Sequence, residues 1–215
     1  MTRLLALDFD GTLADTRPLI VASMQRTLAE MGLPARSEAE CAAVIGLPLA
    51  ECFVRVAGVD GVAAERCAEV YRRLFDEHNH PGAVTLFPHV LSTLSVLHRR
   101  GVRLAVCSSR ARATLDAFVR GFGLEPMVEM VVGADDVAHA KPHPEPVLRV
   151  LGALGVGAGD TLVVGDTSFD ILMGAAAGCR TCGVTYGNQS ASELRAAGAD
   201  WLIDDFAALE GLVGD

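Results

Sequence analysis

The chain has 215 residues, enough for one good core or a core with a small second unit. With 51% apolar and 21% charged residues it is not a disordered chain, and a formal net charge of −9 argues against a nucleic-acid partner, because binding a phosphate backbone needs a basic surface. No apolar run reaches membrane-spanning length, and no secretory segment precedes Leu4-Leu5-Ala6-Leu7-Asp8, so no membrane association, a cytoplasmic location and reduced thiols at its six Cys are expected.

In chain order, short apolar runs alternate with helical periodicity, which predicts an α/β protein with a Rossmann-like parallel sheet and helices on both faces. The predicted strands are Leu4 to Leu7, Arg103 to Cys107, Val128 to Val132, Thr161 to Val164, Arg180 to Thr185 and, more weakly patterned, Trp201 to Ile203. Val90, Leu91, Leu94 and Leu97 share one helix face, with Pro88 suited to the first turn. Further helices are predicted near Ala111 to Phe122, Pro144 to Leu154, Phe169 to Ala177 and Ser190 to Ala197. Cys179 and Cys182 have metal or redox spacing, but with no second pair and a strand between them and Thr185 they read as packing residues.

From about Thr16 to Ala83 the alternation stops. Ile20, Met24, Leu28 and Met31 fit one helix stripe, and Ala63, Cys67, Val70 and Leu74 another, with Gly and Pro as punctuation between them. This predicts a small all-α insert after the first strand, residues 15–83, dividing a catalytic core of residues 1–14 and 84–215, with hinges at Ala14 to Thr16 and Gly82 to Phe87. Ligands of open parallel sheets bind at the carboxyl ends of strands, so an insert there is expected to act as a lid.

Four stations then stand out. Asp8-Phe9-Asp10-Gly11-Thr12 ends the first strand, and alternation lets Asp8 and Asp10 face one cavity while Phe9 points into the core. Ser108-Ser109 follows the second sheet strand, where a hydroxyl and the N–H groups of a helix start suit a phosphate oxygen. Lys141-Pro142-His143-Pro144 holds the single Lys among seventeen Arg, and a compact ammonium is not interchangeable with a guanidinium in a tight site. Gly165-Asp166 closes another strand, with Asp170 about one turn into the next helix, and hard oxygen ligands suit Mg²⁺. Taken singly, these also read as turn aspartates, an N-cap serine, a solvated lysine and a helix cap. Together they place acid, hydroxyl, amine and acid at four strand ends on one edge of a sheet.

With these residues in order, the chain resembles the haloacid-dehalogenase-like superfamily, and within it the phosphoglycolate-phosphatase-like branch. The resemblance rests on Asp8-Phe9-Asp10-Gly11-Thr12-Leu13, Ser108, Lys141-Pro142 and Gly165-Asp166 with Asp170, and extends to Gly46-Leu47-Pro48-Leu49, Val132 to Asp136 and Val184 to Gly187. It implies a Mg²⁺-dependent phosphatase acting on a small phosphorylated metabolite. Asp8 is then nucleophile and metal ligand, and Asp10 general acid and base with its backbone carbonyl on the metal. Ser108, Ser109, Gly11 and Lys141 hold phosphoryl oxygens, Asp166 is a metal ligand, and Asp170 lies behind it or binds through water. Gly46 and Arg55 of the insert are expected to contact substrate. Two departures stand out: Ser108-Ser109-Arg110 where the branch often has Thr-Asn-Lys, and Pro88-His89 where it often has Pro-Gly.

The chemistry has a clear need for such groups. Uncatalysed phosphate monoesters are so inert that the required acceleration reaches about 10²¹. An anionic nucleophile meeting an anionic substrate needs neutralising cations, and the leaving oxygen needs a proton, which Asp10 is expected to give from a raised pKa. An acid at position 10 argues against dehalogenation, since halide leaves unaided, and an insert without lysine argues against a Schiff-base phosphonate cleavage. A sugar-phosphate mutase, a pyrophosphatase, a receiver-like signalling module and a non-catalytic phosphate-binding protein remain as alternatives.

Overall fold

The computed structural model describes residues 2–45, 47 and 49–214. Contacts divide the chain into two compact units, Met1–Asp15 with Thr85–Asp215, and Thr16–Val84. In chain order the elements begin with β1 (Leu4–Leu7), β2 (Ala14–Asp15) and four helices, α1 (Arg17–Glu30), α2 (Glu38–Ala42), α3 (Leu49–Ala57) and α4 (Gly61–His78). Then come β3 (Thr85–Leu86), α5 (Val90–Arg99), β4 (Arg103–Cys107), α6 (Arg112–Gly121), β5 (Val128–Val132) and α7 (Glu145–Leu154). The chain closes with β6 (Thr161–Gly165), α8 (Ser168–Ala176), β7 (Arg180–Val184), α9 (Ala191–Ala196), β8 (Trp201–Ile203) and α10 (Leu209–Gly214). No helix among the described residues is long and apolar enough to cross a membrane.

The sheet of the first unit is wholly parallel, in the order β5-β4-β1-β6-β7-β8. Every residue of β1 is buried, as a strand covered on both faces requires. Alternation sends Leu4 and Ala6 to one face, where they join Ala105, Cys107, Val132, Val163, Val147 and Val150 of α7, and Met173 of α8. Leu5, Leu7, Leu104 and Val106 are equally buried on the other. The fold is therefore the expected α/β sheet flanked by helices. Leu4 of β1 faces Arg103 on one side and Thr161 on the other. The chain builds outward first through β4 and β5, then through β6, β7 and β8, so β1 is the point where the winding reverses. That is where an open parallel sheet leaves a crevice at its carboxyl ends.

The structure adds to one expectation and corrects another. The segments read as hinges, Ala14 to Thr16 and Gly82 to Phe87, contain a short antiparallel ribbon in which Ala14 pairs with Leu86 and Asp15 with Thr85. Two residues per strand are too few to show any periodicity in sequence. At α5, Pro88 is not in the first turn. The helix starts at Val90, after His89 takes φ 63°. A left-handed backbone costs a non-glycine residue about 1–2 kcal/mol, which explains a Gly at this place in the related pattern. Here the His89 ring meets the Asp205 carboxylate at 2.9 Å, a contact that glycine could not make and that offsets part of the strain.

The second unit is helical among its described residues. Its core joins Val21, Met24 and Leu28 of α1, Cys41 of α2, Cys52, Phe53 and Val56 of α3, and Ala64, Cys67 and Tyr71 of α4. On α4 the buried stripe runs Ala64, Cys67, Ala68, Tyr71 and Leu74, while Ala63 and Val70, expected on it, are half-buried at its margin. Tyr71 on this stripe meets the buried Phe53 of α3 edge-on, with ring centroids 6.1 Å apart, so this is the face that packs on α3. The start of α2 is fixed by reciprocal bonds between Ser37 and Glu40, and that of α4 by Asp60 accepting from the Ala63 N–H.

All six cysteines are free and buried, and burial pushes the Cys179 and Cys182 thiols up to about 11 and about 12. Inert thiols of this kind are packing residues.

Candidate active site

Asp8 follows β1, Ser108 follows β4 and Asp166 follows β6, three neighbouring strands whose carboxyl ends meet at the reversal point. The strand pairing continues past β1, as the Asp8 N–H donates to the Val164 carbonyl at 2.9 Å. Lys141 arrives differently from the expectation of a fourth strand end. It stands well beyond β5, in the turn before α7, and reaches back. Its Nζ donates to Asp8 Oδ1 at 2.5 Å and to Asp170 Oδ1 at 2.6 Å, with all three side chains nearly inaccessible. Carboxylate oxygens of Asp8, Asp166 and Asp170 lie within 4.8 Å of one another.

The carboxylates are fixed from behind. The Asp170 Oδ2 accepts from the Thr167 N–H at 3.1 Å and hydroxyl at 2.7 Å, so the cap of α8 also aims Oδ1 at the lysine. Asp166 is fully buried, and its Oδ2 accepts from the Asn188 backbone N–H and side-chain amide, each at 2.7 Å. The Thr12 hydroxyl approaches its Oδ1 at 3.4 Å. Asn188, just past β7 on the same sheet edge, was not found from the sequence; its place two residues after Val184-Thr185-Tyr186, at another strand end, was the available signal.

Three carboxylates and one ammonium leave a buried excess of negative charge, and the proton affinities record it. Burial pushes the Asp8 carboxyl well above the usual carboxylate range; Lys141 opposes this, while Asp170, Asp166 and Asp10 add to it. Burial and then Asp170 raise Asp166 to about 7, against the pull of the Asn188 hydrogen bonds. Burial works against the Lys141 ammonium, but Asp170 and Asp8 outweigh it and hold its pKa above the ordinary lysine value. Lys141 is therefore charged, and the protons that are retained sit on carboxylates.

The sign for stability follows. A carboxyl whose folded pKa is raised favours folding while protonated, fully so below its unfolded value near 3.8, and this contribution is lost as pH rises toward about 7. In chelator, the parent is expected to lose stability relative to Asp166→Asn across that window, by a few kcal/mol at its upper end. Paired urea melts at several pH values check this; parallel curves for the two proteins would refute it.

Glycines allow the crowding. Gly11 has φ +82°, and a β-carbon there would come within 2.1 Å of Asp166 Oδ2 and 2.6 Å of Asn188 Nδ2. Gly187 is equally tight against Asp166, at 2.3 Å from its β-carbon. The Gly11→Ala variant is expected to displace Asp166, losing most activity and about 1–3 kcal/mol of stability. Activity and urea midpoint near parental values would show that the loop has room to yield.

Asp10 has a partner that the sequence did not disclose. Both of its oxygens accept from Arg110, from Nε at 2.8 and 2.7 Å and from Nη2 at 2.6 Å. The guanidinium is buried, 5.6 Å from the Phe9 ring centroid and 5.2 Å from that of Phe118. The departure at Ser108-Ser109-Arg110 was the only sequence signal for it. Ser108 is buried and its Oγ accepts from the Arg110 N–H at 3.3 Å, so it is not the N-cap of α6, a position held by Ala111. Ser109 is exposed. In the helical unit, Arg55 is exposed and bound to Glu51 one turn earlier at 2.7 Å, while Gly46 lies outside the described residues.

Comparison with known proteins bears on this arrangement. The family model for haloacid dehalogenase-like hydrolases matches residues 5–184. The chain is 35% identical over 216 residues to the pyrophosphatase PpaX of Oceanobacillus iheyensis, covering 99% of this chain and 97% of that one. It is 35% identical over 219 residues to a phosphoglycolate phosphatase of Pectobacterium atrosepticum, covering 98% and 92%. The crystal structure of a haloacid dehalogenase-like hydrolase from Bacteroides fragilis superposes with a TM-score of 0.90 at 30% identity, over 97% of this chain and all of the other. The chain thus belongs to the haloacid dehalogenase-like hydrolase family and, within it, to the phosphatases.

Proposed function

We propose that this phosphatase hydrolyses small phosphorylated metabolites through an aspartyl-phosphate formed on Asp8, with Mg²⁺ as its cofactor. The observation that carries the reading is the Lys141 ammonium held between Asp8 and Asp170 beside the buried Asp166. The donor set fits a hard divalent ion. It consists of buried carboxylate oxygens within 4.8 Å of one another whose raised proton affinities mark a shortage of positive charge. Asp8 and Asp166 would hold the ion, with the Asp10 carbonyl, and Asp170 would support it. Bound there, Mg²⁺ supplies charge neutralisation for the phosphoryl oxygens.

In this reading Lys141 and Ser108 orient the phosphoryl group, with Gly11 and Ser109 at its edge. A free Asp8 oxygen attacks phosphorus, the ester P–O bond breaks, and the leaving oxygen takes a proton from Asp10. Asp10, now ionised, then accepts a proton from the water that cleaves the acyl phosphate, returning Asp8 and releasing phosphate. Both Asp10 oxygens accept from Arg110 here, so this role requires Asp10 to exchange partners during turnover. The helical unit, including Arg55, is assigned to substrate selection. Inert, buried thiols support a reducing cytoplasmic setting.

Phosphoglycolate and pyrophosphate are the substrate candidates, because relatives of equal identity carry those two activities in their names. The test is a panel of both compounds with sugar phosphates and nucleotides, each assayed in Mg²⁺ and in chelator. Turnover of at least one small phosphate compound, reduced about 10²-fold or more by chelator, is expected. Undiminished turnover in chelator would remove the cofactor assignment, and no turnover of any compound would remove the substrate class.

A further inference from the structure

The segment between β5 and α7 carries two histidines that this chemistry does not use. His139, His143 and Glu145 bring three donor atoms within 4.8 Å of one another, apart from the buried aspartates. His139 Nδ1 lies 2.9 Å from Glu145 Oε2. The two imidazole rings face each other with centroids 4.6 Å apart and planes tilted by 35°. His143 Nδ1 accepts from the Glu145 backbone N–H at 3.2 Å, a long bond that a stronger partner can replace.

The carboxylate is already immobilised. Its Oε1 accepts from the Ala138 N–H at 2.9 Å and its Oε2 from the His139 N–H at 3.0 Å. These bonds and the His139 ring hold the Glu145 pKa below the ordinary carboxylate value, so the acid is ionised and ready as a ligand. Pro142 and Pro144 bracket His143 and restrict the backbone on either side of it. Both imidazoles are exposed, so water can complete a coordination shell.

We propose that His139, His143 and Glu145 form a second metal site, selective for a borderline transition ion such as Zn²⁺, Ni²⁺ or Cu²⁺. Two imidazole nitrogens and one carboxylate oxygen are the donor set such ions prefer, whereas Mg²⁺ favours oxygen donors and does not compete there. Lys141 lies between the two histidines in the chain, so an ion bound to all three donors closes the turn that delivers Nζ to Asp8 and Asp170. The site ties a surface ligand to the position of the one buried lysine.

The test is electron paramagnetic resonance of the whole chain with substoichiometric Cu²⁺ and saturating Mg²⁺. Hyperfine coupling to two nitrogens is expected, and it should persist in Asp8→Asn, because the aspartate cluster offers only oxygen. His139→Ala and His143→Ala should each remove one nitrogen. The double variant should bind Cu²⁺ at least about tenfold more weakly with an unchanged far-ultraviolet circular dichroism spectrum, and Glu145→Gln about tenfold more weakly. A parent spectrum without nitrogen coupling overturns the proposal, as does two-nitrogen coupling that survives in the double variant. If the double variant does not fold, the single variants decide between the same two outcomes.

Discussion

Asp8→Asn is expected to lose turnover by about 10⁴-fold or more, while the protein folds as well as the parent or better. The first half follows from chemistry: an amide oxygen cannot form and release an acyl phosphate, and removing a nucleophile costs on that scale. The second half follows from electrostatics. Burial has already pushed the Asp8 carboxyl well above its ordinary range, with Asp170, Asp166 and Asp10 adding to the cost of its charge. A neutral side chain of the same shape removes that cost and forfeits the attraction to Lys141. Because burial is the largest influence, the balance at pH 8 in chelator favours the amide. Single-turnover kinetics and urea melts check the two halves separately. An Asn variant as fast as the parent would remove the covalent mechanism. A variant that is inactive but strongly destabilised would instead mean that the charge at position 8 holds the site together.

Lys141→Arg is expected to lose about 10²–10³-fold in kcat despite keeping its charge. The Nζ fits between Asp8 Oδ1 and Asp170 Oδ1 at 2.5 and 2.6 Å in a site nearly closed to solvent. A planar guanidinium is wider than an ammonium and directs its donors in a fork, so it cannot occupy that point without moving a carboxylate. Lys141→Met goes further by leaving three buried carboxylates with no protein cation. Breaking a buried pair in this way costs about 3–5 kcal/mol, and urea melts at pH 8 in chelator should show it. Full activity in the Arg variant would show that the site has slack that these distances do not suggest.

Much of the fold was legible because it rests on local periodicity. Apolar runs with helices between them fixed the six sheet strands within a residue or so, and four of the six observed spans coincide with the expected ones. What escaped was too short or too contingent to leave a pattern. The ribbon of β2 and β3 spans two residues in each strand, and the buried face of α4 is the one on which Tyr71 meets Phe53 of α3. The left-handed backbone of His89 comes with a contact to Asp205, more than a hundred residues away in the chain.

The candidate site divides along the same line. The order of Asp8, Asp10, Ser108, Lys141, Asp166 and Asp170, and the family it indicates, could be read from residue types alone, since strand ends are where a parallel sheet exposes polar groups. The sequence could not show that Lys141 reaches back from a turn to lie between Asp8 and Asp170, that Asn188 anchors Asp166, or that Arg110 engages Asp10. Those pairings join residues from 22 to 133 positions apart. Hydrophobic periodicity is a property of neighbours along the chain, whereas the partner of a buried charge is selected by the need to neutralise it wherever the sheet brings opposite charge within reach.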